Sequence, residues 1–135
     1  MSEGIGRRGL RYFLAAAFLL DGVAHALYPA PFIAITPPWV PDPALAVLAT
    51  GIAAFAGGLG LLIPRVRRWA GIGLALYCVG VYPANVHHAL AHVAFNGTAL
   101  GWGYHGPRLL LQPVITWACL WAAGVIAWPF RRASP

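Results

Sequence analysis

Several polar and titratable side chains lie inside otherwise apolar stretches of this sequence, at spacings that place them on common helix faces. Asp21 and His25 are four residues apart, so on a helix they can hydrogen-bond or form an ion pair. Asn85, His88 and His92 follow the spacing i, i+3, i+7 and form one stripe of a second helix. Such groups are costly in a membrane interior, where they usually face other helices or a cavity.

These residues reach a similar depth when each apolar stretch is treated as a membrane-spanning helix. At a rise of about 1.5 Å per residue, Asp21 lies about 16 Å and His25 about 22 Å from the cytoplasmic end of the first stretch. Asn85 lies about 24 Å along the third stretch, and Gln112 lies at about 22 Å on the fourth. We therefore expect Asp21, His25, Asn85 and Gln112 to line one cavity in the outer half of the membrane.

The chemistry of these groups suits a bound molecule with a polar head. The predicted ligand-binding or proton-handling residues are Asp21, His25, Asn85, His88 and Gln112. An imidazole can take or give a proton near neutral pH, and carboxamides can orient a polar group. The alternative is that the Asp–His pair only holds helices together, a contact that stabilises by about 0.6 to 2 kcal/mol.

Metal and catalytic roles have weaker support. His88 and His92 are weak candidates for metal ligands, because histidine binds metals readily but no diagnostic motif surrounds them. We therefore predict no metal site and assign no catalytic residue.

Four apolar segments carry these residues, at positions 10–27, 44–63, 69–95 and 109–128. Each approaches or exceeds the roughly 20 residues with which a helix crosses a hydrocarbon core. Apolar residues make up 60% of the chain and charged residues 9%, which excludes an ordinary soluble domain. The +6 charge lies in short groups between apolar runs, so nucleic-acid binding is also excluded. We predict one all-α domain over residues 1–135, a four-helix transmembrane bundle in a lipid bilayer.

Arginine is distributed unequally between the two ends of these segments. Eight of the nine arginines fall near the start of the first segment, between the second and third, or after the fourth: Arg7, Arg8, Arg11, Arg65, Arg67, Arg68, Arg131 and Arg132. Only Arg108 falls on the other side. The positive-inside rule then places both termini in the cytoplasm, a multi-pass N-in/C-in topology. A cleavable signal peptide is disfavoured, because the first segment is long enough to span and Asp21 interrupts it.

The two outer loops differ from the short, basic inner turn. Residues 28–43 contain six prolines and Trp39, so we predict a Pro-rich, non-helical loop that lies flat in the outer interface as a lid over the bundle. Residues 96–107 form a second, glycine-rich outer loop with Trp102, Tyr104 and His105.

Small residues indicate where helices pack. The second segment has glycines at positions 51, 57, 58 and 60, which favour close packing within the chain, with an oligomer interface as the alternative. Cys78 and Cys119 each lie in the middle of an apolar segment without a CxxC spacing. We predict two reduced, buried thiols that pack as small hydrophobic groups, which disfavours a disulfide relay.

The same residues carry a resemblance to a known family. The matching stretches are Asp21–His25, Tyr28–Pro29, Ile35–Pro37, Gly51–Pro64, Tyr82–Val86 and Arg108–Pro113. The sequence resembles the DoxX-like family of small four-helix bacterial membrane proteins over nearly its whole length. The resemblance implies a bacterial inner membrane and redox or quinone-linked chemistry, since some relatives resemble subunits of thiosulfate:quinone oxidoreductases. Many members carry Glu where this chain has Ala54, so any step that depends on that Glu is in doubt here.

Two functions follow as hypotheses, and the sequence leaves open whether the protein is an enzyme. The first is a redox-associated protein that binds a quinone, or another small apolar ligand, at the polar cluster. The second is a non-catalytic accessory subunit that stabilises a larger membrane complex or a homo-oligomer. Transport is disfavoured, because the chain lacks the paired broken helices and internal repeat of transporters.

The arginine asymmetry predicts the topology directly. Reporters fused at residue 135 or within residues 65–68 should be cytoplasmic, and reporters near Trp39 and Gly101 should be exported, because arginine-rich loops stay inside. Paired phosphatase and fluorescent-protein fusions measure this. A cytoplasmic reporter near Trp39 would contradict the four-span topology.

Overall fold

Five helices make up the described part of the chain. A computed structural model describes residues 4–91 and 101–129. The helices are α1 (Ile5–Leu27), α2 (Pro29–Ile35), α3 (Pro43–Leu61), α4 (Arg67–Leu90) and α5 (Trp102–Ala122). The prediction of an all-α protein is confirmed for these residues.

Three of the helices are long and apolar enough to cross a membrane, namely α1, α3 and α4, and this indicates a membrane protein. Helix α5 has 21 residues but is not among the three. Its first half contains His105, Arg108 and Gln112, which lower its mean hydropathy.

The prediction of a wholly non-helical Pro-rich loop is wrong for residues 29–35, which form α2. Pro29 and Pro31 lie in the first turn of α2, where backbone N–H groups have no helical partner, so the missing proline N–H costs nothing there. The helix ends at Ile35, and the Thr36 hydroxyl donates to the Phe32 carbonyl at 2.9 Å.

The last helix is displaced relative to its predicted span of 109–128. Helix α5 begins at Trp102, so the predicted loop over 96–107 is wrong from residue 102 onward, and residues 96–100 lie outside the described residues. It ends at Ala122 because Gly124 has a φ of 78°, a left-handed conformation that glycine adopts without strain. The Val125 N–H then donates to the Leu120 carbonyl at 2.9 Å, which closes the helix end.

The other boundaries shift by smaller amounts. The first helix begins at Ile5 rather than at residue 10, so it includes the first arginine group. Helix α4 begins at Arg67 and ends at Leu90, and the predicted continuation over residues 92–95 lies outside the described residues.

The four long helices close into a ring. Helix α1 packs against α3 and α5, and α4 packs against the same two helices, so α1 and α4 lie diagonally opposite each other. At the basic end, defined by Arg7, Arg8 and residues 65–68, the interior is apolar and includes Leu14, Leu61 and Leu74. The opposite end, which we call the cavity end, holds the buried residues His25, Asn85, His88 and His105.

Two arginines at the basic end act as helix caps. The Arg11 side chain, only 3% exposed, donates from Nε to the Ala122 carbonyl at the end of α5 at 3.1 Å. Arg67 donates from Nε to the Leu61 carbonyl at the end of α3, also at 3.1 Å. Helix C-terminal carbonyls carry partial negative charge, so both contacts are favourable.

Glycines set the close approach of α1 and α3. A Cβ on Gly22 would lie 2.7 Å from the Gly51 carbonyl oxygen, and a Cβ on Gly51 would lie 2.6 Å from the Cβ of His25. Gly58 is equally confined, with the Ala15 carbonyl oxygen 2.9 Å away. These glycines therefore pack within the chain, and an oligomer interface stays a prediction.

Replacing Gly22 by alanine should destabilise the bundle, because the added methyl would collide with main-chain atoms of α3 and push the helices apart. We expect Gly22→Ala to lower stability by about 1–3 kcal/mol, as overpacking does. Gly73→Ala is the matched control, since a Cβ there would meet no atom within 4 Å apart from the nearby backbone of its own helix. Thermal melts in detergent measure both variants. Equal melting temperatures for the two variants would contradict the close approach.

Candidate functional site

A cavity of about 540 Å³ lies between the diagonal helices α1 and α4 and against α5. Its lining extends from Leu10, towards the basic end, to Arg108 at the cavity end. Asp21, His25, Asn85 and Gln112 all line it, so the structure brings together the four residues that the sequence places at one depth. Helix α2 and the turn after it form one side of the cavity. The lining residues on that side include Phe32, Ile35, Thr36, Pro37, Trp39 and Val40. Most of the wall is apolar, and the polar groups interrupt it at a few points.

The Asp21 carboxylate is held from across the bundle. The Tyr77 hydroxyl on α4 donates to Oδ2 of Asp21 at 2.7 Å. Beside it, the Phe18 and Tyr77 rings pack edge to face with centroids 6.0 Å apart. The Asp21 side chain remains 34% exposed. A carboxylate with one donor and an open face can still accept a hydrogen bond from a bound molecule.

His25 contacts the main chain more closely than the Asp21 carboxylate. Its Nδ1 lies 2.8 Å from the Asp21 carbonyl oxygen and 3.5 Å from Oδ1. A carbonyl oxygen only accepts, so Nδ1 carries the proton and donates to it. The ring also stacks on Phe32 of α2 with centroids 3.9 Å apart. The predicted pair is therefore formed at ion-pair distance, and α2 fixes the orientation of the imidazole.

The side-chain amides of Asn85 and Gln112 differ in how many of their hydrogen-bonding groups are already used. Asn85 is 8% exposed and lines the cavity, and its side chain makes no hydrogen bond within the described part of the chain. Gln112 uses Nε2 to donate to the Cys78 carbonyl at 3.0 Å, which leaves its oxygen as an acceptor. Asn85 thus provides a buried donor and acceptor that are both unused by the described residues.

Pro113, next to Gln112, interrupts the backbone hydrogen bonds of α5. Pro113 has no N–H, so the Leu109 carbonyl one turn earlier loses its helical donor. The Tyr82 hydroxyl of α4 donates to that carbonyl at 3.3 Å instead. The proline within α5 therefore creates a cross-link between α4 and α5 near the cavity.

His88 does not line the cavity with the other predicted residues. It is fully buried, its Nδ1 lies 3.3 Å from a terminal nitrogen of Arg108, and its ring meets that of His105 with centroids 4.6 Å apart. It supports Arg108, which does line the cavity. His88 therefore lies behind Arg108 and not in the cavity wall, and its role in ligand binding stays a prediction.

No cluster of three or more His, Cys, Asp or Glu side chains is placed to hold a metal within residues 4–91 and 101–129. His92, the other weak metal candidate, lies outside the described residues.

Polar groups of the cavity lining that the sequence analysis did not assign to the site are Thr36, Thr50, Tyr77, Cys78 and Arg108. Tyr77 could have been found, because it lies about 12 Å along its apolar segment and its side chain extends towards the depth of Asp21. The sequence identifies Arg108 as the single arginine on the outer side, and this does not predict a position in the cavity wall. Cys78 gave no signal, since a buried thiol is ordinary in an apolar helix.

The fold and the cavity define a small all-α protein in which helices of membrane-spanning length enclose a partly polar chamber. The chain belongs to the family described as a domain of unknown function, DUF8561, whose family model matches residues 14–123. That stretch includes every polar cavity residue described above. A search of curated proteins gave no match, and neither did a search of solved structures.

The Tyr77–Asp21 contact predicts how Asp21 variants behave. Asp21→Asn should melt near the wild type, because the amide oxygen still accepts from Tyr77. Asp21→Leu should lose about 1–3 kcal/mol, because the Tyr77 hydroxyl is left without its acceptor. Adding Tyr77→Phe to Asp21→Leu should recover part of the loss, since no unpaired hydroxyl remains. Equal melting of Asp21→Leu and the wild type would show that the contact does not stabilise the bundle.

Proposed function

We propose that this protein is a four-span N-in/C-in protein of the bacterial inner membrane that binds a quinone, or a similar small apolar molecule with a polar head. It would then be redox-associated, in line with its resemblance to DoxX-like proteins. The observation that carries the proposal is the cavity of about 540 Å³ with apolar walls and a few converging polar groups. Cavities of roughly 300–1,000 Å³ with this character are typical ligand sites.

The contacts of α5 support a fourth membrane span. Its polar residues turn towards the bundle, since Arg108 contacts His88 and Gln112 donates to the Cys78 carbonyl. Its outward residues are apolar, with Leu110 76% and Val114 52% exposed. A membrane helix can carry polar residues when they face the protein interior, so the lower hydropathy of α5 is compatible with a span.

The polar groups suit a quinone head group. A quinone presents two carbonyl oxygens, which accept hydrogen bonds from donors such as the Asn85 amide and the Arg108 guanidinium. Reduction adds a proton at each oxygen, and the Asp21–Tyr77 pair and His25 lie at the same cavity to exchange protons. The apolar walls would hold the ring and the start of an alkyl tail.

The alternative function is a non-catalytic accessory subunit. The glycines of α3 give it less support in the structure than in the sequence. Four glycines of α3 could have formed a surface for a partner helix. A Cβ on Gly51, Gly58 or Gly60 would instead meet atoms of α1 or α4 at 2.6–2.9 Å. The exposed aromatic residues Trp39 and Trp102 still fit that function, and they equally fit a membrane interface.

Quinone binding should depend on Asp21 and not on Asp42. A fully substituted alkyl benzoquinone should raise the melting temperature of the wild type, equivalent to about 2.7 kcal/mol at a hundredfold excess over the dissociation constant. Asp21→Asn should melt normally alone but lose this shift. Asp42→Asn is the matched control, because Asp42 lies outside the cavity and caps α3 through the Leu45 N–H at 3.1 Å. Asparagine keeps that cap.

Two results would contradict the proposal. One is a quinone shift of equal size in Asp21→Asn and the wild type. The other is a wild type that shows no shift and purifies from mild detergent with a stoichiometric partner chain, which would favour the accessory subunit.

A further inference from the structure

One arginine lines the cavity, and no carboxylate within the described part of the chain balances its charge. Arg108 on α5 is half-buried and belongs to the cavity wall. Of the acids, Asp21 accepts a hydrogen bond from Tyr77, and Asp42 caps α3 outside the cavity. The third acid of the sequence, Glu3, lies outside the described residues. A guanidinium that is partly removed from water is costly unless an anion pairs with it, so this position favours an anionic ligand.

Two contacts hold the Arg108 side chain in place without neutralising it. A terminal nitrogen of Arg108 lies 3.3 Å from Nδ1 of the buried His88. A guanidinium only donates, so Nδ1 accepts, and the imidazole adds no negative charge. The ring centroid of Tyr104 lies 5.5 Å from Cζ of Arg108, at cation–π distance. The guanidinium keeps further N–H groups for a ligand, and their fork geometry matches the two oxygens of a carboxylate.

Towards the basic end from Arg108, the cavity continues as an apolar groove between α1 and α5. Leu111, Ile115 and Ala118 follow Arg108 along one face of α5 over about 15 Å. The facing wall of α1 reaches as far as Leu10. The groove therefore has the length and the apolar lining that suit an alkyl chain whose head lies at Arg108.

The groove is open to lipid along its side. Helices α1 and α5 pack less closely than the three other neighbouring pairs of long helices. Residues on both edges line the cavity and are also exposed, with Phe13 69% exposed on α1 and Val114 52% exposed on α5. A molecule dissolved in the bilayer can therefore enter sideways. A cavity of about 540 Å³ suits a ligand with one alkyl chain better than a phospholipid with two.

We propose that this groove binds a long-chain carboxylate from the membrane, with the ionised head on Arg108 and the alkyl chain between α1 and α5. This goes beyond the proposed function, because it assigns a second class of ligand to the cavity and does not require that a quinone binds. In the proposed topology Arg108 lies about 6 Å further out than Gln112, near the outer edge of the hydrocarbon core. Lipid is as apolar as the groove, so the head group decides which molecule binds.

Ligands with the same tail and different heads test the inference. The full-length protein in a neutral detergent is titrated with isotope-labelled hexadecanoate or hexadecanol, and native mass spectrometry gives the number bound per chain. We expect one hexadecanoate per chain. Hexadecanol should bind about 10- to 100-fold more weakly, because an alcohol makes no ionic hydrogen bond with the guanidinium.

Arg108→Gln removes the charge and keeps an N–H donor. This variant should bind hexadecanoate as weakly as hexadecanol, and its quinone-induced rise in melting temperature should persist. Arg65→Gln is the matched control, since Arg65 is exposed at the basic end and lies outside the cavity. It should bind both ligands as the wild type does. Thermal melts without ligand show that each variant is folded.

A second pair of variants tests the position of the alkyl chain. Ala16 and Ala17 are both exposed on α1, but only Ala17 lines the cavity. Ala17→Trp should fill the groove and weaken hexadecanoate binding. Ala16→Trp places the same ring one residue away and should bind hexadecanoate with the affinity of the wild type.

The outcomes separate this inference from the proposed function. Equal wild-type affinities for hexadecanoate and hexadecanol overturn it, and so does hexadecanoate binding that Arg108→Gln or Ala17→Trp leaves unchanged. Phosphatidylglycerol that binds as tightly as hexadecanoate and depends on Arg108 overturns the choice of a carboxylate in favour of a phospholipid. A quinone shift without hexadecanoate binding overturns this inference alone, whereas hexadecanoate binding without a quinone shift overturns the quinone proposal alone.

Discussion

The hydrogen bond from Tyr77 to Asp21, 2.7 Å long, joins α4 to α1, which lie diagonally opposite in the bundle and do not pack against each other. An ionised carboxylate near the centre of a membrane costs about 2.5–3.5 kcal/mol on insertion scales, so Asp21 requires a partner or water. Tyr77 supplies the partner from the diagonal helix, and its ring packs against Phe18 below. The space above this contact remains open because α1 and α4 stay apart there.

The interior of the bundle differs in polarity on the two sides of that contact. At the basic end, buried side chains such as Leu61 and Leu74 pack between the helices. At the cavity end, α2 contributes to the cavity lining, and its Phe32 ring stacks on His25. Apolar packing holds the helices together at the basic end. The polar groups at the cavity end line the cavity, where they can interact with a bound molecule.

The sequence predicts an all-α fold and the depth of most polar residues of the site. It does not predict features that depend on contacts between different helices. The depths of Asp21, Asn85 and Gln112 followed from counting residues, because an apolar span has one secondary structure with a known rise. The prolines of residues 28–43 predict a loop and not the short helix α2, because proline interrupts helix interiors, although it is tolerated in a first turn. The hydrogen bond from Tyr77 to Asp21 depends on how α1 and α4 are placed across the bundle, and no local pattern encodes that.

Photoaffinity labelling with an azidoquinone in lipid vesicles tests most directly whether the cavity is the ligand site. The label should fall on peptides that contain cavity-lining positions of facing helices, such as Ala84 on α4 and Ile115 on α5, and excess unlabelled quinone should prevent it. Label confined to the outward positions Leu76 and Leu90, 67% and 65% exposed, and unaffected by competitor, would show that quinone meets this protein only as a component of the surrounding lipid.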